Sequence, residues 1–284
     1  MYKSKTKGHI KQTNMDNYIN KEYYLPILKE FCEKTMSLYE CGYPQGPFIP
    51  YTMPNYKSAP LKIMYVGRDT WEWTRCNVLI DAYKNGCLND YLEANINNVD
   101  VDTMLKWKNK SKAFWTFVDK LHLLIRTNEY VSDLTSINKT QKEILNEVGY
   151  GNLYSIEIPA TLKKRIDSFE DVKVWTLITN KEQYQCIREA AKPFETLMSM
   201  IEAYNPDYMF VLTWIDKDEF FEGTDFQRQE NLYEEKFRAI YTSKQYQTKI
   251  IWSLHPNRFS FEKTDIEEMC YYLADTYNQL ALGK

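Results

Sequence analysis

Two short stretches of this 284-residue chain carry the residue types of a hydrolytic site. The first, Gly67-Arg68-Asp69-Thr70-Trp71, directly follows an apolar run over residues 61–66. The second, His255-Pro256-Asn257-Arg258-Phe259-Ser260, follows the apolar run 249–254 and holds one of only three histidines in the chain. An aspartate can align and activate a water molecule, and a histidine can hydrogen-bond a leaving group as negative charge builds on it. Each residue also has a structural reading: Asp69 as a turn residue or helix cap, and His255-Pro256 as the stop of a strand. The two readings part on whether the fold brings Asp69 and His255 to one place.

The elements around them predict that it does. Segments 61–66, 152–159, 207–214 and 249–254 read as strands, and the unbroken apolar run 61–66 suits one buried on both faces. Apolar residues at helical spacing predict helices over 23–42, 102–127, 182–206 and 265–282, with weaker helical pieces at 143–148 and 229–241. Gly42 and Asn205-Pro206 mark two of the helix stops, and five prolines between residues 43 and 60 predict an extended connector. Strand and helix thus alternate, which predicts a three-layer α/β/α sandwich with a central, mostly parallel four-stranded sheet. In such sheets ligands bind beyond the carboxyl ends of the strands, so Asp69 and His255 are expected on one rim, a few strands apart. Residues 1–20 read as a flexible basic lead-in, and 21–284 as a single domain.

Composition narrows the classes. With 44% apolar residues and 23 tyrosines, an aromatic-rich core is available and global disorder is excluded. No run approaches the ~18 apolar residues of a membrane span, and the N-terminus lacks the apolar stretch of a secretory signal. Cys32, Cys41, Cys76, Cys87, Cys186 and Cys270 include no C-x-x-C pair, so they read as reduced thiols of a cytoplasmic protein rather than metal or cluster ligands. The net charge of −3 gives no general attraction to nucleic acid. Local basic stretches exist at 106–112, at Lys163, Lys164 and Arg165, and at Arg258, opposed by an acidic loop at 216–222. Each is a solvated face unless a phosphate meets it.

Taken in order, these segments resemble the uracil-DNA glycosylase superfamily. Gly67-Arg68-Asp69-Thr70-Trp71 is similar to its G-Q-D-P-Y motif, and His255-Pro256-Asn257-Arg258-Phe259-Ser260 to its H-P-S-P-L-S motif. Between them the Asn152 strand, the Cys186 helix, Asn205-Pro206 and the strand 207–214 follow the family order. The resemblance covers roughly residues 61–260. It implies a uracil-DNA glycosylase-like fold and hydrolysis of an N-glycosidic bond in DNA, single- or double-stranded, by a monomer without metal or organic cofactor. By the same resemblance Asp69 would align the attacking water, His255 would stabilise the departing base, and Asn152 would read the base edge. Gly67, Arg68, Trp71, Pro256 and Asn257 would complete the base pocket, and Phe259 would enter the duplex as a wedge as the nucleotide flips out. Lys163, Lys164, Arg165 and Arg258 would contact phosphates.

The chain departs from the pattern where Arg68 replaces Gln, Thr70 replaces Pro, Trp71 replaces Tyr and Asn257-Arg258 replaces Ser-Pro. These changes bear on which base is accepted. Arg68 either meets a phosphate or a larger base, or pairs with Asp69 or another acid. Two other functions remain open on the sequence: a non-catalytic binder of nucleic acid or a modified base, and a hydrolase of free nucleosides or nucleotides.

Overall fold

The computed structural model describes residues 15–35, 48–69, 77–94, 112–154, 189–213, 219–229 and 238–282. Among them seven strands form one sheet: β1 (Tyr51–Thr52), β2 (Ile63–Asp69), β3 (Val148–Tyr154), β4 (Tyr208–Leu212), β5 (Gln227–Arg228), β6 (Arg238–Thr242) and β7 (Lys249–Ser253). Their spatial order is β1-β3-β2-β4-β7-β6-β5. The helices are α1 (Met15–Thr35), α2 (Asn77–Lys84), α3 (Leu88–Ala94), α4 (Lys112–Thr127), α5 (Lys139–Leu145), α6 (Pro193–Tyr204) and α7 (Ile266–Leu282). The protein is therefore of the α/β class, but its sheet is mixed and has seven strands rather than the four expected. The strands expected from the apolar runs, β3, β2, β4 and β7, are neighbours and pair in parallel. β1 adds antiparallel to one edge, and β6 and β5 add antiparallel to the other.

The absence of polar–apolar alternation in these strands has a direct cause: both faces are covered. Met64, Val66, Met209, Val211, Ile250 and Trp252 pack on one face with Tyr24, Leu28 and Phe31 of α1 and Leu197 and Met200 of α6. Ile63, Tyr65, Phe210, Leu212 and Ile251 pack on the other with Phe117, Val118 and Leu121 of α4 and Met269 and Leu273 of α7. Neighbouring residues of one strand thus enter different cores, and each fully buried large side chain contributes about 1.5–3 kcal/mol.

Several boundaries differ from the sequence expectation. α1 starts at Met15, inside the expected lead-in. β3 starts at Val148, four residues before the expected strand, where residues 143–148 were read as helical. Its two glycines explain the misreading, since glycine ordinarily weakens a strand. Here each leaves room for a methionine: a Cβ on Gly149 would lie 2.6 Å from Met64 Cγ, and one on Gly151 would lie 2.2 Å from Met200 Sδ. The expected helix 182–206 is interrupted at Lys192, which takes a left-handed φ of 48°, and α6 restarts at Pro193. Its stop is as expected, with Asn205 at φ 44° followed by Pro206. The helix expected over 229–241 is replaced at its end by β6, whose pairing with β7 overrides the helical spacing.

Candidate active site

Parallel pairing in level register brings the strand ends to one rim. Ile63 of β2 lies opposite both Val148 and Tyr208, and Tyr208 lies opposite Lys249. At the other end Gly67 lies beside Asn152, Asp69 beside Tyr154, and Leu212 beside Ser253. Asp69 is the last residue of β2, and His255 follows the last residue of β7 by two. β4 runs between them, so their backbones stand roughly 10 Å apart at the usual strand spacing. Trp71, Lys163, Lys164 and Arg165 lie outside the described residues.

Asn152 and Gly67 form the tightest contact of the rim. Asn152 is 8% exposed, and a Cβ added to Gly67 would sit 2.5 Å from its Oδ1. The carboxamide therefore occupies the space that any other residue at 67 would fill. The same point is 3.2 and 3.4 Å from Cε2 and Cζ of Phe114, in the first turn of α4. Among the described residues no hydrogen bond to the Asn152 carboxamide is seen, and its side-by-side donor and acceptor are of the type that reads a planar polar edge.

Phe114 also reaches the second half of the site. Its ring lies 5.8 Å from the His255 imidazole at an interplanar angle of 21°. His255 has extended backbone and caps the short 3-10 turn Pro256–Arg258, its Nδ1 accepting the Asn257 N–H at 3.2 Å. His255 thus has a structural task as a cap, which the sequence did not announce, and the cap has a chemical consequence. With Nδ1 used as an acceptor, the neutral ring carries its proton on Nε2 and is a donor there. Pro256, buried, begins the turn with its φ already fixed. Asn257 is exposed beside it.

No protein-family model, curated protein or solved structure matches this chain.

Two expectations change on the structure, and one residue joins the site that the sequence did not single out. Phe259 is 2% exposed and packs edge-on against Phe117 at 5.0 Å, so it belongs to the core and is not a surface wedge. The exposed ring of that turn is Phe261, 72% exposed, with the Arg258 guanidinium 5.1 Å over it. Arg68 is half-buried and, by strand alternation, leaves β2 on the face opposite Gly67, away from Asn152 and Phe114. Phe114 was missed because its helical spacing marks it only as core. Its position in the first turn of α4 is the signal that places it at a rim.

Behind this group, on the same helix, lie two buried polar contacts that the sequence did not announce. Tyr150 Oη donates to Asp119 Oδ1 at 3.4 Å, and Tyr65 Oη faces His122 Nδ1 at 3.3 Å. Burial first, and then the Arg126 guanidinium, push the His122 pKa down to about 3, with the Ile144 backbone opposing in part. His122 is therefore neutral framework at physiological pH. Among the described residues no group of three His, Cys, Asp or Glu side chains is arranged to hold a metal ion, and no helix is long and apolar enough to cross a membrane.

Proposed function

We propose that this protein is a hydrolase of the uracil-DNA glycosylase type, which cleaves the N-glycosidic bond of a flipped uracil or modified base in DNA. The observation that carries the proposal is that Asn152 and His255, whose Nδ1 accepts the Asn257 N–H, flank the Phe114 ring at the carboxyl rim of parallel strands. An amide that offers a donor and an acceptor side by side suits the edge of a nucleobase. A neutral imidazole donor suits the carbonyl oxygen on which charge builds as the base leaves.

In this reading a water molecule attacks C1′ of the sugar, and the electron pair of the C1′–N bond departs with the base. Asp69, at the end of β2, aligns that water and stabilises the positive charge developing on the sugar. His255 Nε2–H holds the negative charge on the base. The binding cost of extruding the nucleotide falls to the surface turn that carries Arg258 and Phe261.

The test is incubation with oligonucleotides that contain uracil, hypoxanthine, xanthine or larger modified pyrimidines, followed by cleavage at abasic sites. Strand breaks with at least one of them, abolished by Asp69→Asn, are expected. Activity that persists in both Asp69→Asn and His255→Ala sinks the assignment. Tight, salt-sensitive binding without cleavage points instead to a non-catalytic binder, and salt-insensitive turnover of free nucleosides to a nucleoside hydrolase.

A further inference from the structure

One turn of the chain carries a chemistry that the hydrolytic site does not use. Between α2 and α3 it reads Lys84-Asn85-Gly86-Cys87, the one place in the sequence where glycine follows asparagine. The glycine is there for the backbone. The Cys87 N–H donates to the Ala82 carbonyl at 2.7 Å and the Gly86 N–H to the Tyr83 carbonyl at 3.1 Å, which closes the end of α2. That pair of bonds needs a left-handed residue just past the helix, and Gly86 provides it with φ 70°. The same residue leaves its amide nitrogen unshielded, because no Cβ stands beside it. Asn85, Gly86 and Cys87 are all exposed, and a Cβ built on Gly86 would meet nothing within 4 Å. Among the described residues no hydrogen bond to the Asn85 carboxamide is seen, while its backbone carbonyl accepts the Cys87 thiol at 3.4 Å. Other asparagines lack one or more of these features. Asn152 is 8% exposed and precedes Leu153, and Asn205 precedes Pro206, whose nitrogen has no proton.

We propose that Asn85 is a site of spontaneous deamidation, and that its isoaspartyl product unlocks the joint between α2 and α3. The Gly86 nitrogen, deprotonated, attacks Cγ of Asn85. The new N–Cγ bond closes a succinimide ring, and the side-chain nitrogen leaves as ammonia. Solvent water then opens the ring. Attack at Cγ breaks the new bond and leaves aspartate at 85, whereas attack at the backbone carbonyl breaks the old peptide bond and leaves an isoaspartyl linkage. One water is consumed and one ammonia released, with no change of oxidation state. The hydrogen bond from Gly86 to Tyr83 opposes the first step, so the turn must open before the nitrogen attacks. Opening costs little, since α2 has 8 residues and α3 has 7, and helices this short gain little from their own hydrogen bonds. The aspartyl product keeps the backbone intact and adds a negative charge at a helix C-terminus, against the dipole. The isoaspartyl product runs the chain through Cβ and Cγ and lengthens it, so the Gly86 and Cys87 N–H groups no longer meet their carbonyls. Leu79, Ile80, Leu88, Tyr91 and Leu92, which these two helices place in the core beside α1, then lose the lock between them.

The test ages the full-length protein at neutral and mildly alkaline pH and follows each asparagine by peptide mass spectrometry. Enzymatic methylation of isoaspartyl carboxyls is the second readout. Asn85 is expected to convert faster than every other asparagine, and faster still as pH rises, because the attacking species is the deprotonated amide. The rate in folded protein is expected within about a hundredfold of the rate in urea, as for a turn that opens at a small fraction of the global unfolding free energy. Asn85→Gln, which has a larger ring to close, loses methylation at this turn. The isoaspartyl form, isolated by chromatography, exchanges its amides over residues 77–94 faster than unaged protein does, while Asn85→Asp changes that exchange far less. Conversion at Asn85 no faster than elsewhere, or a folded rate more than about a hundredfold below the rate in urea, overturns the site. Exchange over 77–94 that is equal in the isoaspartyl form and in Asn85→Asp overturns the unlocking. Neither outcome touches the glycosylase reading, which stands or falls on oligonucleotide cleavage alone.

Discussion

One histidine lies on helix α4 and another packs against it, and they teach different things. Each meets an aromatic ring at nearly the same distance: Tyr65 lies 5.9 Å from His122, edge-on, and Phe114 lies 5.8 Å from His255, stacked. His122 is fully buried, its Nδ1 facing a tyrosine hydroxyl, and burial keeps it neutral far into acid. His255 is half-buried in a loop past the end of β7, with its Nδ1 committed to a backbone N–H. Aromatic company therefore says little about role. The distinction lies in what each Nδ1 engages and in whether the ring is sealed from a ligand.

The comparison is broken most sharply by removing each ring. His255→Ala is expected to lower kcat for excision by about 10²- to 10⁴-fold, the range for a general acid–base group, with little change in the urea midpoint. His122→Ala is expected to do the reverse: it leaves a cavity and an unpartnered Tyr65 hydroxyl, at a cost of about 3 kcal/mol in stability, while the folded fraction keeps its kcat. Equal losses of kcat in the two variants end the distinction.

Acid titration sharpens it further. The folded pKa of His122 is depressed to about 3 from an ordinary 6.5, so the unfolded chain binds a proton that the folded chain refuses. Its contribution to stability is complete above pH 6.5 and is lost as pH falls from 6.5 toward 3, by up to about 1.4 kcal/mol per pH unit. His122→Phe removes this term, so its unfolding free energy should fall less steeply between pH 6.5 and pH 5 than that of the unmodified protein. Parallel slopes in urea titrations at these pH values refute the assignment of the acid sensitivity to His122.

Gly67→Ala acts on the other half of the site. The new Cβ meets Asn152 Oδ1 at 2.5 Å, and that oxygen is the tip of a side chain that can rotate aside. Stability should therefore drop by no more than about 1 kcal/mol, whereas the carboxamide leaves its place and base recognition weakens by about 10- to 100-fold, the value of one lost polar contact to a ligand. Unaltered kcat/KM in Gly67→Ala removes Asn152 from the recognition of the base.

What was legible beforehand follows from how strongly each feature is dictated locally. Strands β2, β4 and β7 were readable because burial on both faces leaves an unbroken apolar run, and their parallel alignment placed the ends of β2 and β7 on one rim. The edge strands were not, since β1 and β5 have two residues each and β6 ends a segment with helical spacing. Gly149 and Gly151 hid the start of β3, because their purpose is set by Met64 and Met200 on distant segments. At the site, Asn152 and His255 stood out by residue type. Phe114 did not, because its place beside Gly67 and His255 arises only where the first turn of α4 meets two strand ends. Phe259 was misplaced for the same reason: which ring of Arg258-Phe259-Ser260-Phe261 turns inward is decided by Phe117 on α4, not by the turn's own residues.

That turn gives the mildest prediction. Phe261 is 72% exposed and Phe259 is 2% exposed, so truncating them should separate surface contact from core packing within one turn. Phe261→Ala should shift stability by less than about 0.5 kcal/mol, as for other surface sites, yet weaken binding to a single-stranded oligonucleotide by about 1–3 kcal/mol if a base stacks there. Arg258, whose guanidinium lies over the Phe261 ring, contributes charge as well as a flat face. Arg258→Ala should therefore reduce the slope of log affinity against log salt by about one, whereas Phe261→Ala leaves the slope unchanged. Phe259→Ala, by contrast, should cost about 3 kcal/mol or more in stability through the cavity it leaves beside Phe117. Oligonucleotide affinity that responds to neither Phe261→Ala nor Arg258→Ala would mean that this turn faces no nucleic acid, and that the strand, if bound, runs elsewhere along the rim.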